Sequence, residues 1–288
     1  HLGPNNYYYW DNFWGIAGLQ AAAELFALIG KTRLSQTYQQ AAKDFEDCVT
    51  KSISNTATKL GRQAIPAAPT RRLDAGAIGS LALAYPAQLC AEDDSRALDS
   101  CEFLLEYCCV NHGFFQDMTH SGINPYLTLH IAQVLMRAGD VRYQDLMQRV
   151  ADLASSTGQW PEAIHPRTGG GCMGDGQHVW AAAEWILMLR NCFVREEKDC
   201  LVIGAGISQQ WLASQQTLSF GPAATSFGPV SISVEPQLNQ SEGKTLQYII
   251  RWQGSWFGKA PRIEVRLPGQ EVINPILGVN DVTCEYQV

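Results

Sequence analysis

The chain has 288 residues, of which 46% are apolar, and a formal net charge of −7. That length holds one large domain or two ordinary ones, and the apolar share supports a sizeable core and excludes wholesale disorder. Basic residues form no long run and no apolar stretch approaches a membrane span, so neither nucleic acid nor a membrane is expected as a partner.

Taken in chain order, the first two-thirds reads as helices. Residues 11–29 carry apolar side chains at helical spacing and stop at Gly30, a natural residue just past a helix end. A second helix is expected from Ser35 to about residue 50, followed by a polar, Pro-containing loop over 51–73. Asp74 reads as the N-cap of a helix to Tyr85, and Ser95 as the cap of one over 96–110. In "INPYLTLHIAQVLMRAG", Asn124 stands at the N-cap, Pro125 at the first helical position and Gly139 past the end. Further helices are expected over 140–156 and 177–194, separated by a glycine-rich loop at 158–176.

After Glu197 the pattern changes to short β-rich runs broken by Gly and Pro, among them "VSISVEP", "LQYIIRWQG" and "RIEVRLPG". The expected fold class is therefore mainly α with a β domain. A helical-hairpin domain covers 1–198 and a small antiparallel β domain, sandwich-like, covers 199–288.

Nine cysteines occur with neither a CxxC pair nor zinc-finger spacing. They read as buried thiols in a reducing compartment, which points to the cytoplasm. His165, Cys172, Asp175 and His178 match no standard metal site, and "GGGCMGDG" lacks the Gly-Lys-Ser/Thr ending of a phosphate loop. No metal or cofactor is expected.

Acids and aromatics gather in three segments, each just before a helix. The first is "YYYWDNFW", with Asn6 ahead of it and Trp10, Asp11 and Trp14 in it. The second is "TRRLDAGAIGSLALAYP", with Arg71, Arg72 and Asp74. The third is "TGQWPEAIHPRTGGGCMGDGQHVWAAAEW", with Trp160, Glu162, Arg167 and His178. Rings that stack on a pyranose face, with acids and amides that hold its hydroxyls, suit a carbohydrate ligand. Hydrolysis of a glycosidic bond needs two carboxyl groups on opposite sides of the ring, and Asp11 and Glu162 are the candidates. Each acid also has a plainer reading: Asp11 and Asp74 as helix caps, Glu162 as a solvated loop residue. Trp14 fits either core or ligand. His112, Asp117 and His120 line the same mouth or only tie one helix connection together.

These motifs resemble the second half of the (α/α)6 toroid of the six-hairpin glycosidases, the superfamily of glucoamylases and trehalases. "YYWDNFWGIAGLQAA" is similar to the segment opening the sixth helix, with Asp11 at the place of the general acid. "LDAGAIGSLALAYP" is similar to the eighth, with Asp74 at its head. "PEAIHPRTGGG" before "HVWAAAEW" is similar to the segment carrying the general base, with Glu162 at its place. The resemblance covers residues 5–195. It departs from glucoamylases in having Asp where they use Glu as acid. "YYYWD" also resembles a trehalase signature that binds substrate, and on that match Asp11 holds sugar and the acid lies elsewhere. Five helices of the toroid are missing, so an N-terminal segment or a second chain is expected to complete it.

The resemblance implies an inverting hydrolase. Asp11, kept protonated by its aromatic surroundings, is the acid and Glu162 the base. Trp10 and Trp160 form the sugar platform, Asn6, Arg72 and Asp74 hold hydroxyls, and Arg167 and His178 orient Glu162. The alternatives are a non-catalytic carbohydrate-binding or scaffold module and, on the same toroid, a sugar epimerase or lyase with a histidine at the mouth.

Overall fold

The computed structural model describes residues 6–117, 121–174, 176–237, 245–276 and 278–287. The chain forms two compact units, His1–Ala182 and Ala183–Val288. The first contains α1 (Tyr9–Leu28), α2 (Thr32–Leu60), a 3-10 helix (Ala75–Leu83), α3 (Ser95–Tyr107), α4 (Pro125–Arg137) and α5 (Tyr143–Asp152). Helix α6 (Val179–Phe193) begins at its end. Five short strands lie in the loops that enter α4 and α6: β1 (Cys109–Val110), β2 (Gly113–Gln116), β3 (Gly122–Ile123), β4 (Ala163–Ile164) and β5 (Gly171–Met173). They form one antiparallel sheet in chain order.

Helix α1 is apolar almost throughout, and it buries Tyr9, Phe13, Ile16 and Ala23. The first three join Val49 and Ile53 of α2 and Ala82 and Leu83 of the 3-10 helix in one core cluster. The two long helices approach closely where α1 carries Gly15: a Cβ there would lie 2.9 Å from Cε1 of Phe45. The Tyr9 hydroxyl is satisfied by Ser52 Oγ at 2.9 Å and Thr56 Oγ1 at 3.2 Å, as a buried phenol requires.

Helix α2 runs ten residues past its expected end, through a stretch read from composition as loop. Ser54, Thr56 and Thr58 each donate a hydroxyl hydrogen bond to the carbonyl one turn back. Their side chains thus satisfy themselves on the helix instead of breaking it. Asp74 caps the next element as expected, accepting from Gly76 N at 2.9 Å, but that element is a 3-10 helix. Its run AGAIGSLAL holds two glycines, which weaken an α-helix, and it packs against α1, α3 and α4. The cap of α3 is Asp94, which accepts from Arg96 N, and Ser95 is the first helical residue. Helix α4 starts as expected, with Asn124 Oδ1 accepting from Leu127 N at 2.9 Å and Pro125 at the first position.

The second unit holds β6 (Val194–Glu197), β7 (Cys200–Ile203), α7 (Gln209–Ala213), β8 (Leu218–Ala223), β9 (Val230–Gln237), β10 (Thr245–Gly254), β11 (Arg262–Val265) and β12 (Asp281–Gln287). One sheet is antiparallel, in the order β12-β10-β9-β8. Alternation along β9 turns Val230, Ile232 and Val234 inward, with Ile232 level with Trp252 and Val234 level with Ile250 of β10. The other sheet, β11-β7-β6, departs from the expected wholly antiparallel domain, because β11 runs parallel to β7. The division at Ala182–Ala183 falls inside α6, whereas composition changes only after Glu197.

Five of the free cysteines are buried, but Cys48 and Cys172 are exposed, which corrects the expectation of uniformly buried thiols. Among the described residues no helix is long and apolar enough to cross a membrane.

Candidate functional site

Loops entering successive helices come together at one end of the helical unit. The backbone N–H of Tyr9 donates to Ala67 O at 3.0 Å, and the side chain of Asn6 donates to Thr70 Oγ1 at 2.9 Å. Those bonds tie the lead into α1 to the loop entering the 3-10 helix. The pairing of Ile123 with Ile164 ties the loop before α4 to the loop before α6. His178 N donates to Trp160 O at 2.7 Å and fixes the entry to α6.

A row of rings crosses the starts of α1, α4 and α6. Trp10 meets Trp14 edge-on, with centroids 5.7 Å apart, and lies nearly parallel to His130 at 6.5 Å. His130 meets Tyr126 at 4.3 Å, Tyr126 meets Trp180 at 5.3 Å, and Trp180 meets His178 at 6.0 Å. Trp180 and Trp14 are exposed, whereas His130 is fully enclosed and desolvation pushes its pKa down to about 3. The row thus presents open rings on a neutral, buried imidazole. Tyr126, His130 and Trp180 escaped the sequence reading. Tyr126 and His130 are four residues apart on an N-capped helix and so share a face, which was the available signal.

Asp11 stands in the first turn of α1 and is exposed, so the described residues do not form the aromatic enclosure expected around it. Nor is it the cap: Tyr8 occupies that position and no side chain caps the helix. Glu162 is half-buried directly before β4. Its side chain rests on Gly174, whose φ of +71° few residues other than glycine adopt.

Trp160 requires a correction. It is only 4% exposed and its indole N–H donates to Val150 O at 2.8 Å. A ring locked this way supports the loop from within and offers no stacking face. Asn6, expected to hold a hydroxyl, makes structural bonds, since its Oδ1 also accepts from Tyr7 N. Arg167 is exposed, and its described hydrogen bond is the backbone one to His165 Nδ1 at 3.3 Å. His178 meets the ring of Trp180. Among the described interactions neither Arg167 nor His178 contacts Glu162.

Arg72 and Asp74 do come together, Nε to Oδ2 at 3.6 Å, with Arg72 largely in solvent. Both line a cavity of about 480 Å³ that also takes in Asp117 at the end of β2. His112 is exposed in the β1–β2 turn, with φ of +62°. His120 and Asp175 lie outside the described residues. Among the described residues no group of three or more His, Cys, Asp or Glu is placed to hold a metal.

No family model and no curated protein sequence matches this chain. Solved structures do share its fold. A glycosidase superposes with a TM-score of 0.51 at 17% identity, over 64% of this chain and 52% of its own. A variant of a glycosidase in complex with glucose gives 0.50 at 16% identity, with the same coverage. A bacterial glucoamylase complexed with acarbose gives 0.50 at 16% identity, over 64% of this chain and 33% of its own. The chain therefore spans about half the length of the glycosidases it matches, and the likeness is one of fold.

Proposed function

We propose that the chain carries part of the active site of a glycoside hydrolase, on a partial (α/α)6 toroid. The observation that carries this reading is the row of rings from Trp14 to His178 at the same end of the helical unit as Glu162. Exposed rings beside a half-buried carboxylate are what a pyranose and its glycosidic bond require. In the proposed reaction Asp11 gives a proton to the glycosidic oxygen as the bond to the anomeric carbon breaks. Glu162 takes a proton from a water molecule, whose oxygen attacks that carbon from the opposite face. Inversion requires the two carboxyl groups roughly 6.5–9.5 Å apart in the working enzyme. Trp10, Trp14 and Trp180 serve as the platform.

Asp11 is exposed in this chain, and a second feature accounts for that. Asp11, Trp14, Gly18, Ala21, Leu25 and Leu28 are all exposed on α1 and recur every three or four residues. Such a row is one face of a helix, and here it is apolar below the acid. A further helical segment or a second chain laid on that face would enclose Asp11. The same exposure favours a second reading, a carbohydrate-binding module in which neither acid acts.

The deciding experiment is hydrolysis of α- and β-glucosides, maltose, trehalose and α-L-rhamnosides, with Glu162→Gln alongside. Turnover that falls at least a hundredfold in the variant supports the hydrolase. Sugar binding without turnover, unchanged in Glu162→Gln, establishes the binding module.

A further inference from the structure

The cavity of about 480 Å³ opens between the loop entering the 3-10 helix and strands β1 and β2. Its wall is apolar and includes Leu73, Val110 and the rings of Phe103 and Phe115. Phe103 is fixed from behind: the Arg62 guanidinium lies 5.5 Å from its centroid and is itself held by Asp99. Phe115 of β2 and Asp117, the residue just past its end, both line the cavity. The rim carries Arg71 and Arg72 beside Asp74 and Asp117. Both carboxylates act on the Cys108 thiol, which also lines the cavity, so they converge on one space.

These groups select among ligands. Two cations and two anions on one rim leave no net charge, so an anion meets two carboxylates and a cation meets two guanidiniums. A purely apolar molecule would strip water from all four, at a cost nothing repays. A neutral ring with hydroxyls at its edge and an apolar face suits both wall and rim. The volume is at the small end of ligand sites, enough for one or two sugar rings.

We propose that this cavity is a second sugar pocket, distinct from the Asp11–Glu162 pair, that takes a neutral mono- or disaccharide. Phe115 lies against the sugar face, and Asp74 and Asp117 accept from its hydroxyls. The inference rests on the carbohydrate reading above for its choice of ligand.

Amide chemical-shift mapping of the chain during titration with maltose tests it. Shifts are expected at residues 71–75 and 108–117, and they should persist in Glu162→Gln. Val110→Trp, which fills the cavity, and Asp117→Asn, at an exposed strand end, should each weaken them at least tenfold. Neither should alter shifts around residues 160–174. Maltose shifts confined to Trp10 and 160–174 would overturn the pocket and leave the hydrolase reading intact. Tighter binding of glucose 6-phosphate than of glucose at the pocket would overturn its neutral specificity. No shift anywhere with maltose, trehalose or methyl α-L-rhamnoside would overturn both.

Discussion

A Cβ placed on Gly174 would lie 2.8 Å from the Cβ of Glu162 and 3.3 Å from its Oε2. The bare backbone of the glycine is thus the wall that positions the candidate base. Gly174→Ala both meets that side chain and forces alanine into a left-handed conformation, at a cost of about 1–3 kcal/mol. The prediction is a modest loss of stability by urea denaturation together with a fall of roughly a hundredfold in hydrolysis, the scale expected for a displaced catalytic group. Undiminished hydrolysis in a folded Gly174→Ala protein would remove Glu162 from the mechanism.

The contrast between Glu162 and Trp160 shows what a sequence can and cannot convey. Local capping chemistry was legible: Asn124, Pro125 and Asp74 all take the positions their residue types favour. So was the gathering of loops before helices, because each site segment ends at a helix start. Burial was not legible, since a Trp beside an acid reads the same whether its indole reaches solvent or Val150. The strands of two to four residues in the helix connections are too short to show alternation. The extra turns of α2 were hidden because Ser and Thr, read as loop formers, bond back to their own helix.

Trp160 itself supplies the next prediction. Trp160→Phe keeps most of the buried ring and removes one of two donors to the Val150 carbonyl, which still accepts from Leu153 N at 3.2 Å. Loss of one such hydrogen bond costs about 0.5–1.5 kcal/mol. Sugar affinity, measured by titration calorimetry, should not change, whereas Trp10→Ala should weaken it at least tenfold. A large affinity loss in Trp160→Phe at intact stability would restore the platform role.

His130 makes the protein sensitive to acid. Its folded pKa is depressed to about 3, against an ordinary histidine value of 6.5, because burial disfavours the charged ring. Between those values the unfolded chain binds a proton that the folded chain does not. Stability therefore rises with pH across this window and is lost as pH falls below 6.5. At pH 4.5 the loss amounts to about 2–3 kcal/mol relative to neutrality. Parallel urea denaturations at pH 7.5 and 4.5 should show that drop in the parent protein and a drop smaller by that amount in His130→Phe. Equal acid losses in the two proteins would contradict the enclosed, neutral imidazole at the centre of the ring row.

The thiols offer a readout that depends on neither activity nor stability. Burial pushes Cys90 and Cys108 up to about 11 and Cys109 and Cys192 to about 12, so few of these are thiolates at pH 8. Cys101 is fully enclosed and is raised further. Cys48 and Cys172 are exposed. A disulfide reagent at pH 8 should accordingly react fast with those two cysteines, and with all nine cysteines of the chain only after denaturation. Cys172→Ser should remove one fast equivalent. Cys172 belongs to β5, which pairs with β4 immediately after Glu162 and leads into Gly174. Its Sγ donates to Ser121 O at 3.4 Å. Cys48→Ser, on α2, should remove the other fast equivalent. Fast reaction of a third thiol in the native protein would contradict the burial of Cys101, Cys192, Cys200 and Cys284.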